Sequence, residues 1–488
     1  MKTFSITKNT VLFALLLLLA MGCEDALKED LYSQLAPENF LTTEEGVVSV
    51  LNAAYAESYL NGYSAHSVRN IEEWCTDIEW ETGGGENLTA VLMIGFTWDA
   101  SVGWMYGEMW LKPYRGIRNA NIVLDNIENA DLSEEARNGY VAQARFLRAL
   151  SYSHLYTWFG TVPLRTSTTD ELELPRATEE AMESFIESEL LAIIPVLPEP
   201  GEVSAYGRVT NGAARALLTK FYLNTGQWQE AADMAQEVID MGTYSLYPVY
   251  EDLFKVQNER NNEYILAYPQ VPNTPGNNYI NGAFPPGFTS DPRSGLTFQG
   301  NWRNWAAQYR LYDRFYDSFD PADLRQNLII DNYLNNDGDS VSLLGADNTR
   351  SFKYWPDPNG LGNEHGNDIP GIRYADILLS RAEALNEING PNQESIDLIN
   401  QVRSRAGLDN VNLADFGNAE DLRMHLLDER GWEFYSEGKR REDQIRMGTF
   451  ISSALGRGIS NAKSYHVLFP IPQAAMDANP MLEQNDGY

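Results

Sequence analysis

Long stretches of the chain repeat their apolar residues every three or four positions. In 139–160, Ala142, Phe146, Leu147, Leu150 and Leu155 fall on one face of a 3.6-residue repeat and predict a helix. Residues 211–242 carry the same period twice, interrupted at Asn224-Thr225-Gly226, a turn-forming triplet, and so predict two helices. Residues 372–390 and 393–408 form a further pair around Asn389-Gly390-Pro391. The expected fold class is therefore mostly α.

The pairs share a composition as well as a period. Small residues let two helices approach closely, and large aromatics fill the gaps between pairs. Tyr222, Gly226, Trp228, Ala231 and Ala232 stand where a tetratricopeptide repeat places its aromatic, its turn glycine and its close-packing alanines. One pair cannot bury both of its faces, so the pairs should stack into a scaffold, with the turn-rich stretch Gly201–Gly207 as a join.

Two regions break the helical pattern. Residues 70–112 hold Trp74, Trp80, Trp98, Trp104 and Trp110 around a Gly-Gly-Gly run. Residues 268–306 mix prolines, glycines and asparagines with Tyr279, Phe284, Phe288, Phe298, Trp302 and Trp305. A third stretch, 331–371, is rich in Asn, Asp and Gly and reads as irregular. Turn formers interleaved with aromatics describe a loop-built binding face on a rigid body.

That face has the chemistry of sugar recognition. A neutral sugar offers flat C–H faces for aromatic rings and hydroxyls for polar side chains. The candidate ligand contacts are Trp80, Trp98, Tyr279, Trp302 and Trp305, with Asp77, Asn301 and Arg303 as polar neighbours; core packing is the alternative for each ring. Trp158, Trp228 and Trp432 lie within helical motifs and are expected in the core. The basic run Lys439-Arg440-Arg441 is expected to pair inside the fold with acids such as Glu429, Glu433 or Asp443. The segment 331–340 spaces Asn335, Asp337 and Gly338 like a calcium loop, but Tyr333 occupies the first ligand position and no closing Glu follows. It reads as a solvated loop, with structural calcium near Asp337 as the alternative; no other cofactor or metal is expected.

Charge narrows the partners. The 488 residues carry 36 basic against 69 acidic side chains, a net −33, which disfavours nucleic acid and adhesion to anionic lipid through a basic patch. The N-terminus has its own signature. Lys2 and Lys8 precede the apolar run Val11–Gly22, which ends at Cys23. Twelve residues are too few to span a bilayer, and the pattern is that of a secretory signal. Cys23 directly after Gly22 marks it as a lipoprotein signal, although Ala20 stands where leucine is usual. The expectation is a signal peptide over 1–22, a lipidated tether over 23–36 beginning at Cys23, and a single domain over 37–488 with loop insertions near 70–112 and 268–371. Cys75 then has no partner for an intramolecular disulfide. Acyl chains would anchor the protein, and the charged residues Glu24, Asp25, Lys28, Glu29 and Asp30 would stay in water.

Catalytic signatures are missing from the sequence. It holds five histidines but no HExxH, no GxSxG and no GxxxxGK[ST]. A pair of carboxylates for glycoside hydrolysis is not singled out among the acids, so no catalytic residue is assigned. A scaffold protein that binds only another protein is a further alternative.

Seven segments together resemble one family. They are YRGIRNANIVLDNI (114–127), AQARFLRALSYSHLYTWFGTVPL (142–164), AARALLTKFYLNTGQWQEAADMAQEVI (213–239), RYADILLSRAEALNEING (373–390), INQVRSRAGL (399–408), ERGWEFYSEGKRREDQIRMG (429–448) and LFPIPQAAMDANPMLEQNDGY (468–488). They span nearly the whole chain after the signal and resemble the SusD/RagB family of outer-membrane nutrient-binding lipoproteins. The resemblance implies a helical body of four tetratricopeptide-like pairs with a loop-rich ligand face. It implies a cell-surface protein that binds glycan, or peptide in some members, without cleaving it. It also implies a partner, a SusC-like TonB-dependent transporter barrel on which the protein sits as a lid. The acidic stretch after Cys23 resembles the surface-export signal of such lipoproteins.

Overall fold

A computed structural model describes residues 40–60, 62–203, 205–272, 276–306 and 309–488. The signal and tether, including Cys23, lie outside the described residues.

The fold is mostly helical, and its helices start where the sequence places capping side chains. The longer ones are α1 (Glu44–Ser58), α2 (Gly62–Trp74), α3 (Asn87–Gly95), α4 (Lys112–Asn126), α5 (Glu134–Phe159), α6 (Glu179–Ile193), α7 (Asn211–Asn224) and α8 (Trp228–Asp240). They continue with α9 (Tyr374–Asn389), α10 (Gln393–Arg405), α11 (Ala419–Phe434) and α12 (Arg440–Arg446). Thr43, Ser133, Thr178, Thr210, Asn392 and Asn418 each accept a hydrogen bond from a backbone N–H of the first turn, satisfying donors that the helix itself leaves unpaired. Glutamates in the first turns of α1, α5 and α6 favour the same ends.

Four pairs form the scaffold: α1 with α4, α5 with α6, α7 with α8, and α9 with α10. α4 also packs on α5, and α8 on α9, so the pairs run on into one another. Two glycines are required by geometry. Gly226 turns α7 into α8 at φ +73°, a conformation that costs a side chain. Gly116 brings α4 against α1 and α5: a Cβ there would stand 2.3 Å from the Ser58 hydroxyl oxygen. Trp158 is buried between helices, and Trp228 and Trp432 are half-buried against the core, as their helical positions predict.

Short antiparallel strands build the rest. β1 (Glu79–Glu81) pairs with β3 (Tyr309–Leu311), and β2 (Tyr264–Tyr268) with β4 (Ile369–Arg373). Residues 290–291, 296–297, 332–334 and 340–342 form a four-stranded patch. The stretch 331–371, read as irregular, therefore contains strands; they are two to five residues long, too short for alternation to register in the sequence. At 335–339 the Asn335 side-chain oxygen accepts from the backbone N–H groups of Asp337 and Asp339, both at 2.9 Å, and so helps to fix the hairpin turn. No helix among the described residues is long and apolar enough to cross a membrane.

The basic run is inward-facing, as expected, but its partners differ. Arg440 makes two hydrogen bonds to Asp77, at 2.8 and 3.0 Å, and Arg441 lies 3.6 Å from Glu72. Lys439 donates to the Gly371 carbonyl at 2.7 Å. Glu429, Glu433 and Asp443 are instead taken by Arg325, Arg373, Arg403, Arg405, Arg430 and Arg446. A helix places its charges on fixed faces: Glu429 and Glu433 of α11 look toward Arg325, Arg373 and α10, whereas Arg440 meets another side of α11, where it donates to the Leu427 carbonyl near Asp428.

Candidate ligand-binding site

The two aromatic-rich loop regions meet through one ladder. β1 comes from the first region and β3 directly follows the second, and Trp80 stands opposite Arg310 in their register. Alternation along a strand sends neighbouring side chains to opposite faces. Glu79, Glu81, Tyr309 and Leu311 therefore point into the core and are buried, while Trp80 and Arg310 share the outer, half-buried face.

On that face Trp80 is fixed from three directions. Its indole N–H donates to the Asp347 carbonyl at 2.8 Å. Its ring lies stacked with Tyr312, centroids 6.1 Å apart and planes 18° from parallel. The Arg310 guanidinium sits 5.1 Å from its centroid, within cation–π range. A planar ring held in one orientation by its edge is what stacking on a sugar face requires, because little rotamer entropy is then lost on binding.

A second aromatic group surrounds His66 of α2. Half-buried Trp305 stands edge-on to His66 at 5.7 Å, and its indole N–H donates to the Asn363 side-chain oxygen at 3.0 Å. Its backbone N–H donates to Asn281 at 2.9 Å. Half-buried Trp104 lies 5.9 Å from the same imidazole. Glu86 joins this group to the ladder: one oxygen is 2.5 Å from His66 Nε2, and the other accepts from the Tyr309 hydroxyl at 2.7 Å. Burial alone would raise the Glu86 carboxyl, but the hydrogen bond and charge of His66 hold it below the usual range. Glu81 behaves oppositely. It is buried, neither oxygen has a hydrogen bond among the described residues, and burial, with Glu86 nearby, pushes its carboxyl up to about 8.

Not every residue chosen from the sequence reaches this face. Trp98 is buried, with rings of Phe96, His466 and Phe469 around it and its N–H bonded to the Tyr488 hydroxyl at 2.8 Å. Trp302 is buried against Phe284 and Phe298, its N–H on the Asp357 carbonyl at 2.8 Å. Tyr279 is buried beneath the Arg69 guanidinium, 3.9 Å from its ring, and bonds Glu79 at 3.1 Å. Core packing, the alternative weighed for each of these rings, is what the structure gives them. At 2–3% exposure these rings have too little surface for a ligand to stack on, so these three act by shaping the loops. Asp77 is committed to Arg440, which overrides the upward push of burial and holds its carboxyl below the ordinary value. Asn301 is half-buried and its amide ties down the carbonyls of Pro358 and Gly360, the latter at 2.6 Å. Arg303 is exposed. Trp80, Trp305 and Arg303 remain as ligand candidates.

Sequence reasoning missed His66, Glu86, Arg310, Tyr312 and Asn363. The alternation in Glu79–Glu81 and Tyr309–Leu311 was the available signal for the ladder, and three residues a side are too few to register. His66 lies on a helix with no local mark.

A family model described as the SusD family matches residues 240–488, and one described as starch-binding and associating with the outer membrane matches residues 27–223. SusD-like protein P25 of Formosa agariphila is 28% identical over 98% of this chain and 98% of its own. The starch-binding protein SusD of Bacteroides thetaiotaomicron is 25% identical, covering 83% of this chain and 82% of its own. Among solved structures, a laminarin-binding SusD-like protein superposes with a TM-score of 0.78 at 26% identity, covering 92% of this chain and all of that one.

Proposed function

The chain belongs to the SusD family, and from that premise we propose that it captures neutral glycan chains on its loop-built face and passes them to a TonB-dependent outer-membrane importer without cleaving them. The observation that carries the reading is two edge-pinned, half-buried indoles from the two loop regions: Trp80 on the outer side of the β1–β3 ladder, and Trp305 beside His66 and Tyr309. Relatives named for binding starch and laminarin support a glycan as the ligand class. Starch and laminarin are differently linked glucans, so they support the class and leave the linkage to experiment. Family membership supports the outer membrane as the place of action, and the sequence after Gly22 supports a lipid on Cys23 that tethers a single domain of residues 37–488 at the cell surface.

Each exposed stack contributes about 0.5–1.5 kcal/mol beyond area. Affinity for one short sugar should therefore be modest, and a long chain gains by engaging several contacts at once. Trp80→Ala and Trp305→Ala should each weaken retardation in laminarin-loaded native gels about 2- to 13-fold, the range that this stacking energy corresponds to. Wild-type retardation that survives both substitutions together would rule out this face. A reading as a peptide receptor on the same lid mechanism would show as peptide binding with no glycan retardation.

A further inference from the structure

Beside the ladder lies a cleft with its own lining. Its volume is about 330 Å³, inside the range of roughly 300–1,000 Å³ typical of clefts that hold small ligands. One wall is a face of α11, where Gly431 and Trp432 stand three and four positions after Asp428 and so share its side of the helix. A second wall is Arg314, Phe315 and Ser318, in the segment that follows β3. The Asp77–Arg440 ion pair and Ser453, from the helix Phe450–Gly456, complete it. The cleft adjoins the Trp80–Tyr312 stack: Arg314 follows Tyr312 by two residues, and the charges of Arg314 and Asp77 both act on the Tyr312 hydroxyl.

Three side chains of this lining are free to meet a ligand. Trp432 is half-buried on a small core that includes Ile78, Phe315 and Phe319, and its indole N–H donates to the Ser318 hydroxyl at 3.0 Å. It is pinned by its edge, as Trp80 and Trp305 are. Asp428 is half-buried and makes no hydrogen bond or ion pair among the described residues, yet its carboxylate oxygens keep accessible surface. Burial, with Asp77 and Glu429 nearby, raises its carboxyl above the ordinary aspartate value despite Arg440, which marks an acceptor short of donors. Arg314 is exposed and likewise has no hydrogen bond or ion pair among the described residues. The charges of the lining balance, Asp77 and Asp428 against Arg314 and Arg440, so it favours a neutral occupant over an ion. A flat aromatic surface, an open acceptor and an open donor together match the C–H face and the hydroxyls of a sugar ring.

We propose that this cleft is a further glycan subsite, in which Trp432 stacks on a sugar ring while Asp428 and Arg314 bond its hydroxyls. The proposal rests on the glycan-capture reading and adds a contact area outside the two loop regions. The test uses the full chain in detergent, run in laminarin- and starch-loaded native gels, with Asp428→Ala and Arg314→Ala as the variants. Each should weaken retardation by whichever glycan retards the wild type about 2- to 13-fold, the range of one net hydrogen bond. Neither side chain is bonded within the fold, so neither variant should lower the urea midpoint, whereas loss of a structural contact would. Weakening by these variants, with the midpoint unchanged, supports the cleft. Weakening by Trp80→Ala and Trp305→Ala alone would overturn the cleft and leave capture on the loop face standing. Weakening by the cleft variants alone would keep the cleft and overturn the loop face. No retardation of the wild type by either glycan would overturn both. A midpoint that falls in both cleft variants along with retardation would also overturn the subsite.

Discussion

Glu433→Gln removes one charge from a buried network whose composition sets the expected cost. The carboxylate is fully buried on α11 and is shared by three guanidiniums: Arg405 at 2.5 Å, Arg373 at 2.9 Å and Arg325 at 3.3 Å. The connected network balances, with Arg325, Lys353, Arg373, Arg403 and Arg405 against Glu263, Asp323, Glu429, Glu433 and Glu437. Glutamine keeps the shape and one acceptor but leaves a net positive charge away from water. Breaking a buried pair from one side costs about 3–5 kcal/mol, against a total stability of about 5–15 kcal/mol for a typical domain. Urea denaturation followed by circular dichroism should show a large drop in midpoint. Arg215→Ala removes the more exposed Arg215–Glu237 pair and should cost no more than about 1 kcal/mol. The sign with pH is also fixed. Burial alone would raise Glu433, but Arg405, Arg373 and Arg325 bring it down to about 2. Its contribution is present above the ordinary glutamate range near pH 4.5 and is lost as pH falls toward 2. The wild type should therefore lose more stability than the variant over that acid window. A midpoint within the equivalent of about 1 kcal/mol of wild type, with an unchanged acid limb, would refute the reasoning.

Trp98→Ala should destabilise the fold by about 3–5 kcal/mol through the cavity it leaves, measured by urea midpoint, while glycan retardation at low temperature persists. Glu81→Gln should flatten the neutral-pH limb of stability. A carboxyl raised to about 8 keeps its proton in the folded state while the unfolded chain releases it near 4.5, so wild-type stability falls between those values as pH rises. Thermal melts from pH 5 to about 8 check this against the variant. Cys23→Ala should move the protein from the membrane to the soluble fraction after cell lysis; retention in the membrane contradicts the lipid anchor.

The helical scaffold was legible because amphipathic helices write their period into the sequence. α7, α8, α9 and α10 begin and end near the predicted boundaries, α5 ends near its predicted end but starts earlier, at Glu134, and the Gly226 turn falls at its triplet. The binding region was legible only as two patches of composition. Which tryptophans are exposed was not, because loops have no period and their burial is decided by distant partners. Trp98 is closed off by Tyr488, 390 positions along the chain. Asp77 is claimed by Arg440, 363 positions away. The same holds for Trp302, whose N–H is taken by a carbonyl 55 residues on. Trp80 is left on the outer face because β1 is locked to β3 in one register, and a shift by one residue would turn it inward; Trp305 is held half-buried by Asn281 and Asn363.

The most direct measurement is native-gel retardation of the soluble chain from Glu24 onward against a panel of neutral polysaccharides including laminarin and starch, with product analysis of the same mixtures. The account predicts that at least one glycan retards the protein, that Trp80→Ala and Trp305→Ala together weaken the shift more than either alone, and that no oligosaccharide is released. Release of short oligosaccharides, or no retardation by any glycan, would contradict it.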